Sequence, residues 1–145
     1  MRSQMSPAPC VSRPGAGVAA ARARDLLRRA DQLHAESVSE CRADDKFRAA
    51  YLAALRGAAT VLALYDKPQR RGRRTRNAWV LLEGVSEEWA RWSGEFATYS
   101  RRRTAFEAGI ASATLAEADG LCQLAGEFLD VVHETVFGLR EPGAA

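Results

Sequence analysis

Two histidines, three cysteines and two dense arginine clusters are the residues of this 145-residue chain whose chemistry reaches beyond packing. Metal chemistry in a helical bundle asks for glutamates with a histidine three residues on, carried by facing helices. His34 and His133 are each preceded at that spacing by an aspartate, Asp31 and Asp130, so the glutamate is missing. Cys10, Cys41 and Cys122 are odd in number and widely separated. No two have zinc-site spacing, and reduced thiols are expected. No glycine-rich phosphate loop, zincin helix or serine elbow occurs. No metal site and no cofactor are expected. Cys122 reads as a small buried hydrophobe, and His133, following Val131 and Val132, as a boundary or surface histidine.

The arginines are harder to set aside. The net charge is only +3, too mild to force a nucleic-acid reading, but it is unevenly placed. Residues 66–103 carry 10 basic and 5 acidic side chains, whereas residues 104–145 carry 1 basic and 7 acidic. The sharpest cluster is Lys67, Arg70, Arg71, Arg73, Arg74 and Arg76, opposed by Asp66; a second is Arg101, Arg102 and Arg103. Guanidinium groups this dense suit a phosphate backbone, a nucleotide or an acidic protein surface, including the chain's own acidic last helix with Glu117, Asp119, Glu127 and Asp130. Trp79, Trp89, Trp92, Phe96 and Tyr99 have base-stacking rings, but their helical spacing makes core packing the better reading.

The elements that must hold these residues are helices. All five prolines (7, 9, 14, 68 and 142) fall in expected tails or loops, which leaves 18–65 and 75–140 free of the residue that breaks helix interiors. No six-residue stretch alternates apolar with polar, so no strand is predicted. Residues 1–17 read as a disordered arm, 18–140 as one helical domain and 141–145 as a tail. The first helix is predicted at 18–39 with Leu26, Ala30, Leu33 and Ser37 or Val38 on one face. From Asp44 to Tyr65, Phe47, Tyr51, Ala54, Ala58, Val61 and Tyr65 step by four and three, marking the central helix. Asp44 and Asp45 favour its start by capping and by the helix dipole, and Gly57 inside it predicts a close helix approach.

A short helix at about 76–84 presents Trp79, Leu81 and Leu82 and stops at Gly84. Ser86 is the expected N-cap of the next, whose stripe is Trp89, Trp92, Phe96, Tyr99, Arg103 and Phe106, ending near Gly109. Thr114 and Glu117 form a capping box for the last helix, whose stripe is Ala118, Leu121, Ala125, Phe128, Val132 and Val136, ending at Gly138. Four long helices and one short one define an all-α, up-and-down bundle. No run of about 18 apolar residues and no secretory h-region occurs, so no membrane span is expected and the cytoplasm is the expected compartment.

The segment Lys46-Phe47-Arg48-Ala49-Ala50-Tyr51-Leu52-Ala53-Ala54-Leu55-Arg56 resembles the second helix of HEPN domains, the higher eukaryote and prokaryote nucleotide-binding superfamily. Glu117-Ala118-Asp119, with Leu121, Phe128, Leu129 and Val132, resembles that fold's closing helix. The arginine-rich loop, the tryptophan-bearing short helix and the Glu-Glu-Trp-Ala helix start resemble a stand-alone branch found in actinobacteria. The resemblance implies a helical bundle, often a homodimer, tied to RNA processing, toxin–antitoxin systems and defence. Its active members are metal-independent ribonucleases carrying an arginine, four to six residues, then a histidine, near the start of a late helix and paired across a dimer. Here the residues after Arg103 run Thr104 to Ala108 with no histidine. Arg28 or Arg29 with His34, in the first helix, is a numerical match to that spacing. With 19 arginines and two histidines in the chain, roughly 0.8 such matches arise from composition alone. Arg29 and His34 also stand about 140° apart around a helix, on different faces.

The reading is thus a non-catalytic HEPN-type homodimer. Its ligand would be nucleic acid, a nucleotide or a protein partner, held through Arg70, Arg71, Arg73, Arg74, Arg76 and Arg101–Arg103. A metal-independent toxin ribonuclease using Arg29 and His34 is the enzymatic alternative, and a purely protein-binding bundle that docks an acidic partner is the other.

Overall fold

The computed structural model describes residues 15–65 and 77–138, and the described residues form five helices and no strand. They are α1 (Gly15–Ser39), α2 (Ala43–Leu64), the one-and-a-half-turn α3 (Ala78–Glu83), α4 (Glu87–Glu107) and α5 (Leu115–Val136). This is the predicted count of four long helices and one short, arranged up and down, with α1 and α2 packed as a hairpin and α5 laid against both.

The ends of the helices follow local chemistry. Ser86 accepts the Trp89 amide at the start of α4, and Thr114 and Glu117 close the predicted capping box of α5. Asn77 caps α3 by accepting the amides of Trp79 and Val80, which trims the expected 76–84 to six residues. Gly109 and Gly138, with φ of 77° and 68°, supply the left-handed backbone just beyond α4 and α5. The start of α2 differs from expectation. Its N-cap is Arg42, whose guanidinium has no acceptor for a cap bond, while Asp44 in the first turn accepts the Ala113 amide at 3.1 Å and ties the α4–α5 connection to α2. Asp44 and Asp45 still complement the dipole in that first turn.

Burial follows the predicted stripes of α2, α4 and α5, except that Tyr65, expected on the α2 stripe, caps the end of that helix and is exposed. Phe47, Tyr51, Ala54, Ala58 and Val61 face Phe96 and Phe128, all inside one core cluster. Rings close this side: Phe47 meets Phe106 edge-on at 4.8 Å, Trp79 stacks on Phe96 at 4.7 Å, and Phe96 meets Phe128 at 5.1 Å. Trp79 also donates its indole N–H to the Tyr51 hydroxyl at 2.9 Å, and the Ser93 hydroxyl donates to the Trp79 carbonyl. Gly57 is where α2 and α5 come closest. A Cβ there would lie 2.8 Å from Leu129 Cδ2 and 3.0 Å from Phe128 Cε2.

On α1 the predicted face holds at Ala30 and Ser37, but Leu27 takes the fully buried place expected for Leu26. Ala23, Leu27, Ala30 and Ser37 are buried, Leu26 and Leu33 are half-buried, and Val38 is 58% exposed. Leu26 and Leu27 are adjacent, so the apolar period fits either; the polar contacts to α5 decide between them. α2 is long and apolar enough, at a mean hydropathy of 1.3, to meet the length and composition of a membrane span, but 56% of that window is buried inside the bundle as its central helix.

Candidate functional site

The basic segment Arg70, Arg71, Arg73, Arg74 and Arg76 lies outside the described residues. The second cluster is split by the geometry of α4. Arg102 donates Nε to Glu117 Oε2 at 2.6 Å and a second N–H to Oε1 at 3.1 Å, with its guanidinium 4.8 Å from the Phe106 ring centre. Arg103 pairs with Glu107 at 3.1 Å and lies over the Tyr51 ring at 5.0 Å. Arg101 is exposed beside Thr98 and borders a groove of about 350 Å³ that also reaches Asn77, the residue following Arg76. Arg102 thus meets the acidic last helix, whereas Arg101 is presented outward. The Arg102 contact, joined by the Thr114 amide, holds the Glu117 carboxyl below its ordinary range, and Glu117 raises Arg102 in return.

Arg29 and His34 do not come together. Arg29 is exposed and lies 3.4 Å from Asp25, one turn back on α1. His34 turns onto α5, where its Nε2 sits 3.0 Å from the Cys122 carbonyl oxygen. A carbonyl can only accept, so Nε2 carries the proton and a neutral ring keeps its basic lone pair on Nδ1. The ring lies over Gly126, where a Cβ would stand 3.0 Å from both Cε1 and Nε2. Cys122 and Gly126 are thus the orienting partner and the seat of His34, 88 or more residues away. The signal available was Gly126 itself, a glycine inside a helix, which costs about 1 kcal/mol against alanine and so asks what approaches it.

Around His34 the α1–α5 seam is built from polar groups. The Ser37 hydroxyl donates to the His34 carbonyl at 2.7 Å and lies 3.2 Å from the buried Cys122 thiol. Cys122 is buried as predicted, but against a hydroxyl rather than in a wholly apolar setting. His133, half-exposed as expected, puts Nε2 2.8 and 3.0 Å from the two Asp31 carboxylate oxygens. Lys46, one of only two lysines in the chain, is buried and donates to the carbonyls of Ser37 and Val38 at 2.9 and 3.3 Å, with Asp119 at 3.7 Å. A compact ammonium with three donors suits three convergent acceptors at the end of α1 better than a planar guanidinium does. It also sits where the helix dipole favours a cation. Among the described residues no three His, Cys, Asp or Glu side chains converge as a metal-binding set.

These elements open a groove of about 540 Å³ between α1 and α5. Its floor includes Cys122, Gly126 and Leu129, and Asp31, Asp119, Glu127 and Asp130 stand around it. Both histidines line it, set among carboxylates that repel phosphate.

An all-α, up-and-down bundle of four long helices with a short tryptophan-bearing helix is the architecture the described residues build. The family model described as SAV_6107-like HEPN matches residues 37–133, from the last turn of α1 to His133 in α5, and the chain belongs to that HEPN family. No curated protein and no solved structure matches the chain.

Proposed function

We propose that this HEPN domain works by binding and not by cutting, as a cytoplasmic homodimer that takes an RNA backbone on its basic segment. One observation carries the non-catalytic half of this reading. The histidine that numerically answers the ribonuclease spacing, His34, spends its Nε2–H on the Cys122 carbonyl, faces away from Arg29 and opens onto a groove rimmed by carboxylates. A general base for phosphodiester cleavage needs its substrate within hydrogen-bond reach, and this rim repels that substrate. The binding half is supported by charge. Lys67, Arg70, Arg71, Arg73, Arg74 and Arg76 stand within ten positions, and Arg101 adds an exposed guanidinium on the groove that reaches Asn77. Free thiols at Cys41 and Cys122 fit a reducing compartment.

The test is the salt dependence of RNA binding. Each phosphate contact on a single strand contributes about 0.7 to the slope of log affinity against log salt. Changing Arg71, Arg73 and Arg74 to glutamine should therefore flatten the slope by about two and weaken all sequences alike, because backbone contacts carry no base readout. An unchanged slope would remove the segment from the interface.

A further inference from the structure

The α1–α5 groove joins an apolar floor to an anionic rim. Leu129 and Cys122 are buried beneath it, and Val38, 58% exposed, stands at one side. Two of its carboxylates are engaged within the bundle: Asp31 by His133, and Asp119 near Lys46 at 3.7 Å. Glu127, which accepts from Gln123 at 3.4 Å, and Asp130 are exposed along α5 and direct negative charge outward. Aliphatic stems ending in guanidinium groups match such a surface: the stems cover the floor and the heads meet the rim. The chain carries a segment of that chemistry, six basic residues from Lys67 to Arg76.

The described residues that flank this segment, Tyr65 and Asn77, do not line the groove. The segment ends at Asn77, the cap of α3, and α3 packs on α4 and α2, whereas α1 packs on α2 and α5. A second copy removes this constraint. Ten residues extend to about 35 Å at most, enough to cross between protomers. We propose that the α1–α5 groove receives the basic segment, residues 67–76, of a second copy of this chain, and that the exchange is reciprocal about a two-fold axis. This deepens the homodimer reading and rests on it. It also sets RNA and the groove in competition for the same arginines.

The experiment is a charge swap read by sedimentation at about 50 mM salt without RNA, where surface charges are weakly screened. One variant reverses the rim (Glu127→Arg with Asp130→Arg), and the other reverses the segment (Arg73→Glu with Arg74→Glu). The parent is expected to be a dimer that dissociates as salt rises. Each variant alone should dimerise at least about 30-fold more weakly, because at both contacts the two reversed side chains then face charges of their own sign. Mixed one to one, the two variants should recover the dimer, since both contacts again pair opposite signs. Dimers of parental strength from either variant alone would overturn the groove as the interface while leaving the dimer reading intact. Monomeric variants that do not recover on mixing would overturn exchange between copies in favour of contact within one chain. A monomeric parent would overturn the inference and the dimer reading together, and RNA binding would still be judged by its own salt slope. Should a reversed variant melt well below the parent, the neutral pairs Glu127→Gln with Asp130→Asn and Arg73→Gln with Arg74→Gln carry the test, each expected to weaken the dimer.

Discussion

Where α4 meets α2, α3 and α5 the bundle is closed by rings, with Phe47 on Phe106, Trp79 on Phe96 and Phe96 on Phe128 at centroid distances of 4.8, 4.7 and 5.1 Å. Between α1 and α5 it is closed by polar groups: His34 on the Cys122 carbonyl, Ser37 beside the Cys122 thiol, and His133 on Asp31. The two regions teach different things. Ring packing is non-directional and scales with area, so it fixes that the helices associate. Polar contacts are directional and costly when left unmade, so they fix how α1 is rotated against α5 and which side chains reach the groove.

The largest effect expected from breaking this contrast is in the rings. Phe128 is fully buried and touches Trp79, Trp89, Trp92 and Phe96. Phe128→Ala should cost about 3–5 kcal/mol, and a change under about 1 kcal/mol in a denaturant titration would contradict that packing. The seam comes next. Lys46→Met keeps the apolar stem but takes the ammonium from the Ser37 and Val38 carbonyls, of which that of Ser37 still accepts the Glu40 amide at 3.3 Å, and should cost about 1 kcal/mol in the same measurement. It should also lower hydrogen-exchange protection at the end of α1 more than in α4.

The smallest effect is electrostatic and depends on pH. Arg102 and the Thr114 amide hold Glu117 below its ordinary range, so the stability this gives is complete above about pH 4.3, the usual carboxylate value, and is lost as pH falls through the depressed one. Glu117 is partly exposed, which lets solvent screen the pair. The melting temperatures of parent and Glu117→Gln should therefore differ modestly at pH 7 and converge toward pH 2. A constant difference would assign the effect to the capping box alone.

The same contrast decides what was legible in the sequence. The stripes of α2, α4 and α5, the Ser86 cap and the Thr114–Glu117 box are local patterns, and apart from Tyr65 at the end of α2 they stand in the structure as predicted. The seam depends on pairs such as His34 with Cys122 and Asp31 with His133, separated by 88 and 102 positions, which no local period encodes. That is why Leu26 is expected inward where Leu27 is, although Ala30 and Ser37 are buried as predicted. Gly57 and Gly126 were the traces of long-range approach, since each makes room for a neighbour from another helix. The division of Arg101 from Arg103 is by contrast a matter of local period, because consecutive residues on a helix point about 100° apart and Arg103 falls on the predicted α4 stripe.

The central claim is that this HEPN domain holds RNA without cleaving it. End-labelled mixed-sequence RNA incubated with excess protein, with and without chelator, tests it most directly when binding and strand integrity are read from the same samples. The account predicts salt-sensitive binding with the RNA left intact in every lane. Cleavage products that persist with chelator and vanish in a folded His34→Ala variant would contradict it and return His34 to a catalytic role.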